Sequence, residues 1–510
     1  MSLRWTIGDL DLAGLDRFAS LLALLLEAGD TIALTGDLGT GKTTFARLLV
    51  GHIAGGPQEI TSPTFTLAQR YDAGRLTITH VDCYRLRDAG EAEELGLEDA
   101  LAEGIVLIEW PERIAAQLPP DRLEIILEDS EDEARRRVSA AGHGGWAQRL
   151  ERLKALLALL DEVGWSDATV SWMQGDASAR SYARLEQDDR SAVLMNAPRR
   201  ADGPALQDGR SYSAIAHLAE DVRAFVAVDM ALREAGLSAP QILAHDLEQG
   251  FLLLEDLGPG AFDAAIAAGA DEEELYRAAV DVLVALSKHP LPARLPLPGG
   301  GFHDVPSYDR EALAIETDLL CTWYWRALNG EAAPGPVAAE FEAAWQPLFE
   351  RLQAEATGWV LRDYHSPNLI WLPEREGVRR VGLIDFQDLV RGPAAYDLVS
   401  LAQDARRDIS AALEGGLFAH YCERIKQQDP DFDAEAFRTS YAILGAQRAT
   451  KILGIFARLA LRDRKPGYLA HVPRVSAYLE RNLAHPALAQ VRRWYARHLP
   501  AEQRIRLARR

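Results

Sequence analysis

The sequence predicts two folds in series: an α/β domain, then an α+β domain with a small β-rich lobe ahead of a large helical one. Three observations predict it. The chain has 510 residues, more than one ordinary hydrophobic core organises. Its first third alternates short apolar runs with helix-periodic segments around a glycine-rich turn, Gly36 to Thr43. The remainder opens on strand-like pieces and becomes mostly helical beyond residue 302.

Taken in order, residues 12–28 have helical spacing, and 31–35 form a short buried strand that runs into the glycine-rich turn. Further strands are predicted at 76–81, 105–109 and 123–127. A charged stretch at 128–137, then Gly142, Gly144 and Gly145, precede an apolar helix-periodic segment at 146–163. The boundary is placed inside that segment, so that residues 1–153 form the first domain and 154–510 the second. Strand-like pieces at 170–173, 183–185 and 192–195 belong to a small lobe over about 165–258, and the helical lobe fills 259–510. The Pro/Gly-rich run 289–301 reads as a loop excursion.

Hydrophobic residues make up 48% and charged residues 26%, which excludes a disordered chain. The net charge of −21 argues against broad, sequence-independent nucleic-acid binding, which needs clustered Lys and Arg. Cys83, Cys321 and Cys422 lie far apart with no C-x-x-C pair, so neither a disulfide framework nor a structural zinc site is expected. Residues 1–12 lack a basic stretch followed by a sustained apolar one, and the apolar run 21–26 is too short to span a bilayer. A cytoplasmic location without membrane contact is the expectation.

Gly36-Asp37-Leu38-Gly39-Thr40-Gly41-Lys42-Thr43 matches G-x-x-x-x-G-K-[ST], with an apolar strand before it and a helical pattern after it. In this P-loop, Gly36, Gly39 and Gly41 let backbone N–H groups curl around phosphates at a helix N-terminus. Lys42 bridges the β- and γ-phosphates, Thr43 places its hydroxyl on Mg²⁺, and Thr44 completes the ATP-binding run. Ser62-Pro63-Thr64-Phe65 is a candidate switch segment, Asp82 a candidate Mg²⁺ partner at a strand end, and Glu109 a water-orienting acid at the next. Singly, these could be a turn, a helix cap and a solvated strand end.

Together with His80-x-Asp82-x-Tyr84-Arg85-Leu86 and Glu109-Trp110-Pro111-Glu112, their order resembles the TsaE family, the ATPase subunit of bacterial tRNA threonylcarbamoyladenosine biosynthesis, over about residues 1–153. The resemblance implies that Lys42 and Thr43 bind phosphate and Mg²⁺, that Thr64 and Trp110 belong to switch segments, and that Asp82 supports the metal. It implies that Glu109 serves hydrolysis and that synthase subunits of the TsaB/TsaD type are partners.

The second constellation is Arg362-Asp363-Tyr364-His365-Ser366-Pro367-Asn368, followed by Leu383-Ile384-Asp385-Phe386-Gln387-Asp388. D-x-x-x-x-N, an apolar strand and a second Asp form the core of protein-kinase-like phosphotransferases. Asp363 is the candidate base for a substrate hydroxyl, and Asn368 and Asp385 the candidate Mg²⁺ ligands. Gly175 to Tyr182, with Ser178, suits a cover over ATP phosphates; Leu253 to Gly258, with Glu255, suits the passage between lobes where adenine is read. The strand Val193 to Pro198 carries no Lys, so Arg180, Arg184 and Asn196 are candidates to replace it.

With Leu194-Met195-Asn196-Ala197-Pro198 and Arg391-Gly392-Pro393-x-x-Tyr396-Asp397-Leu398-x-Ser400, this half resembles the aminoglycoside-phosphotransferase family over about residues 155–500, and within it the anomeric N-acetylmuramate/N-acetylglucosamine kinases of the AmgK type. That implies ATP-dependent phosphorylation of an amino sugar's anomeric hydroxyl in peptidoglycan recycling. Arg362, His365, Glu316 and Asp318 are substrate candidates, with Trp323 and Tyr324 as stacking partners, although such a cluster at helical spacing also describes a core. Arg448 and Lys451 are candidates for a carboxylate, with a solvated basic helix face as the simpler expectation. The rival readings are a kinase for another acceptor (an aminoglycoside, a choline-like amine or a protein), one kinase with a regulatory P-loop module, and a non-catalytic kinase-like scaffold.

Overall fold

The computed structural model describes residues 2–55, 63, 66–74, 76–86, 91, 95–173, 180–199, 203–355 and 357–509. Thr64, Gly175 and Ser178 lie outside the described residues. The chain forms two compact units, Met1–Arg199 with Ile242–Asp256, and Arg200–Gln241 with Leu257–Arg510.

The first unit holds two sheets. Strands β1 (Ser2–Leu10), β2 (Thr31–Thr35), β3 (Ala68–Asp72), β4 (Thr77–Asp82), β5 (Gly104–Glu109), β6 (Arg122–Asp129) and β7 (Arg136–His143) lie in the order β1-β7-β6-β2-β5-β4-β3. β2 runs parallel to β5 and β6, and β5 parallel to β4. All six residues of β5 are buried, as a strand with neighbours on both sides and covered faces requires. β1 and β7 went unsignalled: β1 is an edge strand without a buried face, and β7, between β1 and β6, buries mostly small residues from Val138 to Gly142 that carry no strongly apolar pattern. The charged stretch 128–137 is therefore a correction: it ends β6 and starts β7, a hairpin inside the sheet.

Helices α1 (Leu12–Leu25), α2 (Lys42–Ala54), α3 (Leu97–Glu103) and α4 (Trp146–Glu162) complete this part. Asp11 caps α1, accepting from the Gly14 N–H at 2.8 Å. α1 ends three residues before the predicted limit because Leu26 is already extended. The second sheet contains β8 (Thr169–Met173), β9 (Ser181–Gln187), β10 (Arg190–Asn196), β11 (Ile242–Asp246) and β12 (Phe251–Glu255), antiparallel throughout in the order β11-β12-β10-β9-β8.

The second unit is mainly helical: α5 (Val222–Glu234), α6 (Glu272–Leu286), α7 (Arg310–Leu319), α8 (Gly335–Gln353), α9 (Ala395–Ala402) and α10 (Ala434–Leu461) are its principal elements here. Two short antiparallel pairs cross it, β13 (Gly358–Val360) with β16 (Val390–Gly392) and β14 (Leu369–Trp371) with β15 (Val381–Leu383). The run 289–301 is not a bare loop, since Arg294–Pro296 pairs with Phe302–Asp304. No helix among the described residues is long and apolar enough to cross a membrane.

Candidate functional sites

The P-loop joins β2 to α2. Gly36, Gly39 and Gly41 have φ of 148°, 86° and 98°, conformations that side chains rarely adopt. A Cβ on Gly36 would stand 2.2 Å from the Leu127 carbonyl oxygen, so the position admits only glycine. Lys42 opens α2, and its Nζ donates to the carbonyls of Gly36 at 2.6 Å and Asp37 at 2.8 Å. Burial lowers the Lys42 pKa, against the pull of Glu109, Glu112, Asp82 and Asp37.

Parallel pairing sets Asp82 beside Glu109, at the ends of β4 and β5. Glu109 is 2% exposed and uses both oxygens: the Thr43 hydroxyl donates to Oε2 at 2.8 Å, and His80 Nε2 lies 2.9 Å from Oε1. Asp82 accepts from the Tyr84 N–H at 3.0 Å. Trp110 follows Glu109 with φ of 59°, and its ring meets Tyr84 at 4.9 Å. Lys42, Thr43, Glu109 and Trp110 thus converge. The sequence named His80 only as part of a strand end; its alternation with Asp82 on β4 was the signal for a shared side.

In the second unit, Asp363 stands in the loop after β13, half-buried, with no side-chain hydrogen bond to its carboxylate among the described residues. Its main chain is held firmly. The Asn368 side-chain amide donates to the Asp363 carbonyl at 3.0 Å and to Asp385 Oδ2 at 3.3 Å. Gln387 donates to Asp385 Oδ1 at 2.8 Å. The two segments meet because β14 and β15 pair, Leu369 opposite Leu383. Arg362 and Asp385 have φ of 69° and 59°, the left-handed strain that functional loops carry when their surroundings impose it.

Asp397 on α9 imposes part of it, accepting the N–H groups of Leu361 at 2.7 Å and Arg362 at 3.0 Å. Burial raises the Asp397 pKa to about 7, although those two N–H groups and Arg448 work against it. Arg362 is 2% exposed and donates to Glu316, and also to the Ala216 carbonyl at 2.7 Å. Glu316 is fully buried and collects Lys451 at 2.7 Å, Gln447 at 2.8 Å and the Tyr308 hydroxyl. Burial alone would raise the Glu316 pKa, but Lys451 and Arg362 hold it at about 2.

Several expectations are corrected by these contacts. Glu316 and Arg362 form an internal ion pair beneath the loop rather than an open substrate contact. Lys451 and Arg448 do not lie on a solvated face: Lys451 pairs with Glu316, and Arg448, 7% exposed, donates to Ser400 at 2.7 Å. The pattern of the sequence showed only one turn of basic residues, not the carboxylate they meet. Tyr324 is buried and donates to the Arg504 carbonyl at 2.6 Å. His365 has a buried Nδ1 without a partner among the described residues, and burial lowers its pKa. Asp318 and Trp323 line a cleft of about 870 Å³ between α7 and α8, with Arg326, Glu342 and Trp345. Burial and Glu342 raise the Asp318 pKa.

On the small-lobe sheet, Arg184 and Asn196 face opposite sides. Arg184 lies opposite Val193, while Asn196 shares its side with Ala192 and Leu194. Arg184 pairs with Asp256 at 2.7 Å. Asn196 accepts from Arg152 at 2.7 Å and donates to Ser181 at 3.0 Å and the Leu24 carbonyl at 3.2 Å. That placement removes Asn196 from the side where Arg184 lies. Glu255 ends β12 opposite Ala192.

Residues 11–138 match the family model of the threonylcarbamoyl adenosine biosynthesis protein TsaE, and residues 170–437 match that of the phosphotransferase enzyme family. The chain joins a TsaE-family domain to a phosphotransferase-family kinase domain. Over 365 residues it is 40% identical to the N-acetylmuramate/N-acetylglucosamine kinase of Caulobacter vibrioides, covering 69% of this chain and 98% of that protein. The Pseudomonas aeruginosa protein of the same name is 33% identical over 336 residues, 64% of this chain and 89% of that one. The TsaE domain is 42% identical over 118 residues to the tRNA threonylcarbamoyladenosine biosynthesis protein TsaE of Rickettsia bellii, 23% of this chain and 82% of that protein. In the kinase domain, the Asp363, Asn368 and Asp385 cluster lies within the matched residues; in the TsaE domain, Lys42, Thr43, Asp82 and Glu109 do.

Proposed function

We propose that the chain is bifunctional: its TsaE domain hydrolyses ATP in support of tRNA threonylcarbamoyladenosine formation, and its kinase domain transfers the γ-phosphoryl group of ATP to the anomeric hydroxyl of N-acetylmuramate or N-acetylglucosamine. The observation that carries the kinase reading is the unengaged Asp363 carboxylate on a loop whose backbone Asp397 and Asn368 clamp. Asp363 accepts the proton of the anomeric hydroxyl as that oxygen bonds to the γ-phosphorus, and the bond to the β-phosphate bridge breaks to release ADP. Clamping fixes the base without occupying its oxygens, as orientation-based catalysis requires.

Mg²⁺ would neutralise charge on the β- and γ-phosphates. The hard-oxygen donors fit it: Asp385 with the Asn368 amide oxygen in the kinase domain, and Thr43 with Asp82 in the TsaE domain. There, Lys42 exchanges the Gly36 and Asp37 carbonyls for phosphate oxygens. Glu109, fixed by His80, orients the attacking water. Synthase subunits of the TsaB/TsaD type are the proposed partners and the cytoplasm the proposed location; the names of the Rickettsia relatives assign those proteins to tRNA threonylcarbamoyladenosine biosynthesis, the process such subunits would share.

The test is to incubate the full chain with MgATP and N-acetylmuramate, N-acetylglucosamine, kanamycin or choline, and to follow the products by mass spectrometry. Sugar 1-phosphate from wild type but not from Asp363→Asn is the expected result. Transfer to kanamycin or choline alone would replace the sugar reading, and no transfer by a chain that binds ATP would favour the scaffold.

A further inference from the structure

The two families do not meet at a linker. α4 runs without a break from Trp146 to Glu162, through the boundary that the sequence suggests. One hydrophobic core contains Leu15, Phe18 and Leu22 of α1, Leu150, Leu153 and Leu156 of α4, and the sheet residues Ala183, Leu185, Leu194 and Leu253. α1 packs on β8 and β9, α4 on β11, and α2, which begins at Lys42, reaches β8. One face of the small-lobe sheet is thus the far wall of the P-loop domain's core. Ordinary domain contacts within a chain are more polar and remain separable.

The polar groups at this seam are shared as well. The last carbonyls of a helix have no partner within it. In α1, the Leu24 carbonyl accepts from Asn196 of β10 at 3.2 Å and from the Ser181 hydroxyl of β9 at 3.4 Å. The Leu25 carbonyl accepts from Arg149 of α4, which also donates to Asp30 Oδ2 at 2.7 Å. Arg152, one turn of α4 further on, donates to Asn196 at 2.7 Å and to the Gln249 carbonyl at 2.7 Å. Parting the sheets would expose the core and take both partners from the Leu24 carbonyl. The arrangement does more than join two enzymes: kinase side chains complete a helix of the ATPase.

We propose that the P-loop domain is a structural part of the kinase's small lobe, so that the two sheets open as one cooperative unit and nucleotide held at Lys42 stabilises both. A ligand that binds only the native form stabilises whatever unfolds with its site, wherever the ligand touches. The P-loop domain then has a second role besides hydrolysis, which does not depend on the identity of the sugar or of the tRNA-modification partner.

Native-state hydrogen exchange on the full chain tests this. As urea is added, the amides of Ile32 and Leu107 in the P-loop sheet and of Leu185 and Leu194 in the kinase sheet are expected to merge onto one opening free energy and one slope. Two separate limits would overturn the proposal. The Val106 side chain belongs to a different core, on Val81, Ile108 and Ile114, so Val106→Ala removes no side-chain atoms from the shared one. It is expected to raise the opening equilibrium about tenfold in both sheets; an effect confined to β1–β7 overturns the proposal. Should that variant not fold, the wild-type convergence decides alone. MgATP is expected to protect Leu194 more in wild type than in Lys42→Ala, and equal protection would overturn the linkage.

Discussion

The ammonium of Lys42 lies 3.6 Å from the centroid of the Trp110 ring. The same nitrogen donates to two carbonyls of its own loop, so the charge meant for phosphate is held by the ring and by the backbone. A cation over an indole gains about 0.5–2 kcal/mol, which nucleotide must displace. Trp110→Leu is therefore expected to tighten ATP binding at this site severalfold while slowing hydrolysis. A fluorescent ATP analogue measures it, with Asp385→Asn in both chains to weaken binding at the kinase site; an unchanged affinity would show that the contact does not restrain Lys42.

Gly36→Ala should disable the P-loop outright. Its φ of 148° and the 2.2 Å approach of the Leu127 carbonyl oppose any Cβ, and the obstacle is backbone that cannot swing aside. A loss of about 2 kcal/mol or more in urea unfolding is expected, together with loss of phosphate binding. Gly39→Ala, with open space around its Cβ, is expected to cost less.

Asp363→Asn keeps the shape of the loop and removes the base. Sugar phosphorylation is expected to fall by about 10²–10⁴ in kcat with KM for ATP nearly unchanged, and steady-state kinetics checks the split. A matched rise in KM would mean instead that the residue holds nucleotide.

Glu316→Gln leaves Arg362 and Lys451 buried without their counter-charge and is expected to cost about 3–5 kcal/mol. The pH dependence follows from its sign. The carboxyl is held at about 2 against an ordinary 4.5, so its contribution is complete above 4.5 and is lost as pH falls through about 2. Urea midpoints of wild type and variant should differ by a constant amount from pH 7 to 5 and converge below that.

Asp318→Asn tests the cleft between α7 and α8. If the sugar lies there, its KM rises about tenfold and KM for ATP does not move, as loss of one charge-assisted hydrogen bond implies. Equal kinetics would place the acceptor elsewhere.

Both motif-bearing loops were legible because their residues are contiguous. Gly36 to Thr43 and Asp363 to Asn368 each carry their chemistry within eight positions, and local spacing is what a sequence displays. β5 was legible too, since its stretch from Ile105 to Ile108, buried on both sides, is apolar throughout. The supports of these loops were not. Glu316 meets Arg362 across 46 positions and Gln447 across 131, and nothing local distinguishes that carboxylate from one on a solvated helix. Asp397 stood inside a matched motif, yet its grip on Leu361 and Arg362 depends on how α9 packs.

The sequence by itself determined that the chain carries two motif-bearing loops, Gly36 to Thr43 and Asp363 to Asn368, and which residues are proposed to meet phosphate in each, because the glycines, candidate metal donors and candidate base are read from residue type at fixed spacing. Only the tertiary structure decided that Asn196 serves the helix end of α1, that Arg448 is buried, and that Lys451 pairs with Glu316. It alone decided that the P-loop domain and the small-lobe sheet close around one core. Burial and long-range pairing depend on which surfaces meet, and alternation along a strand says that a side chain has a face without saying what covers it.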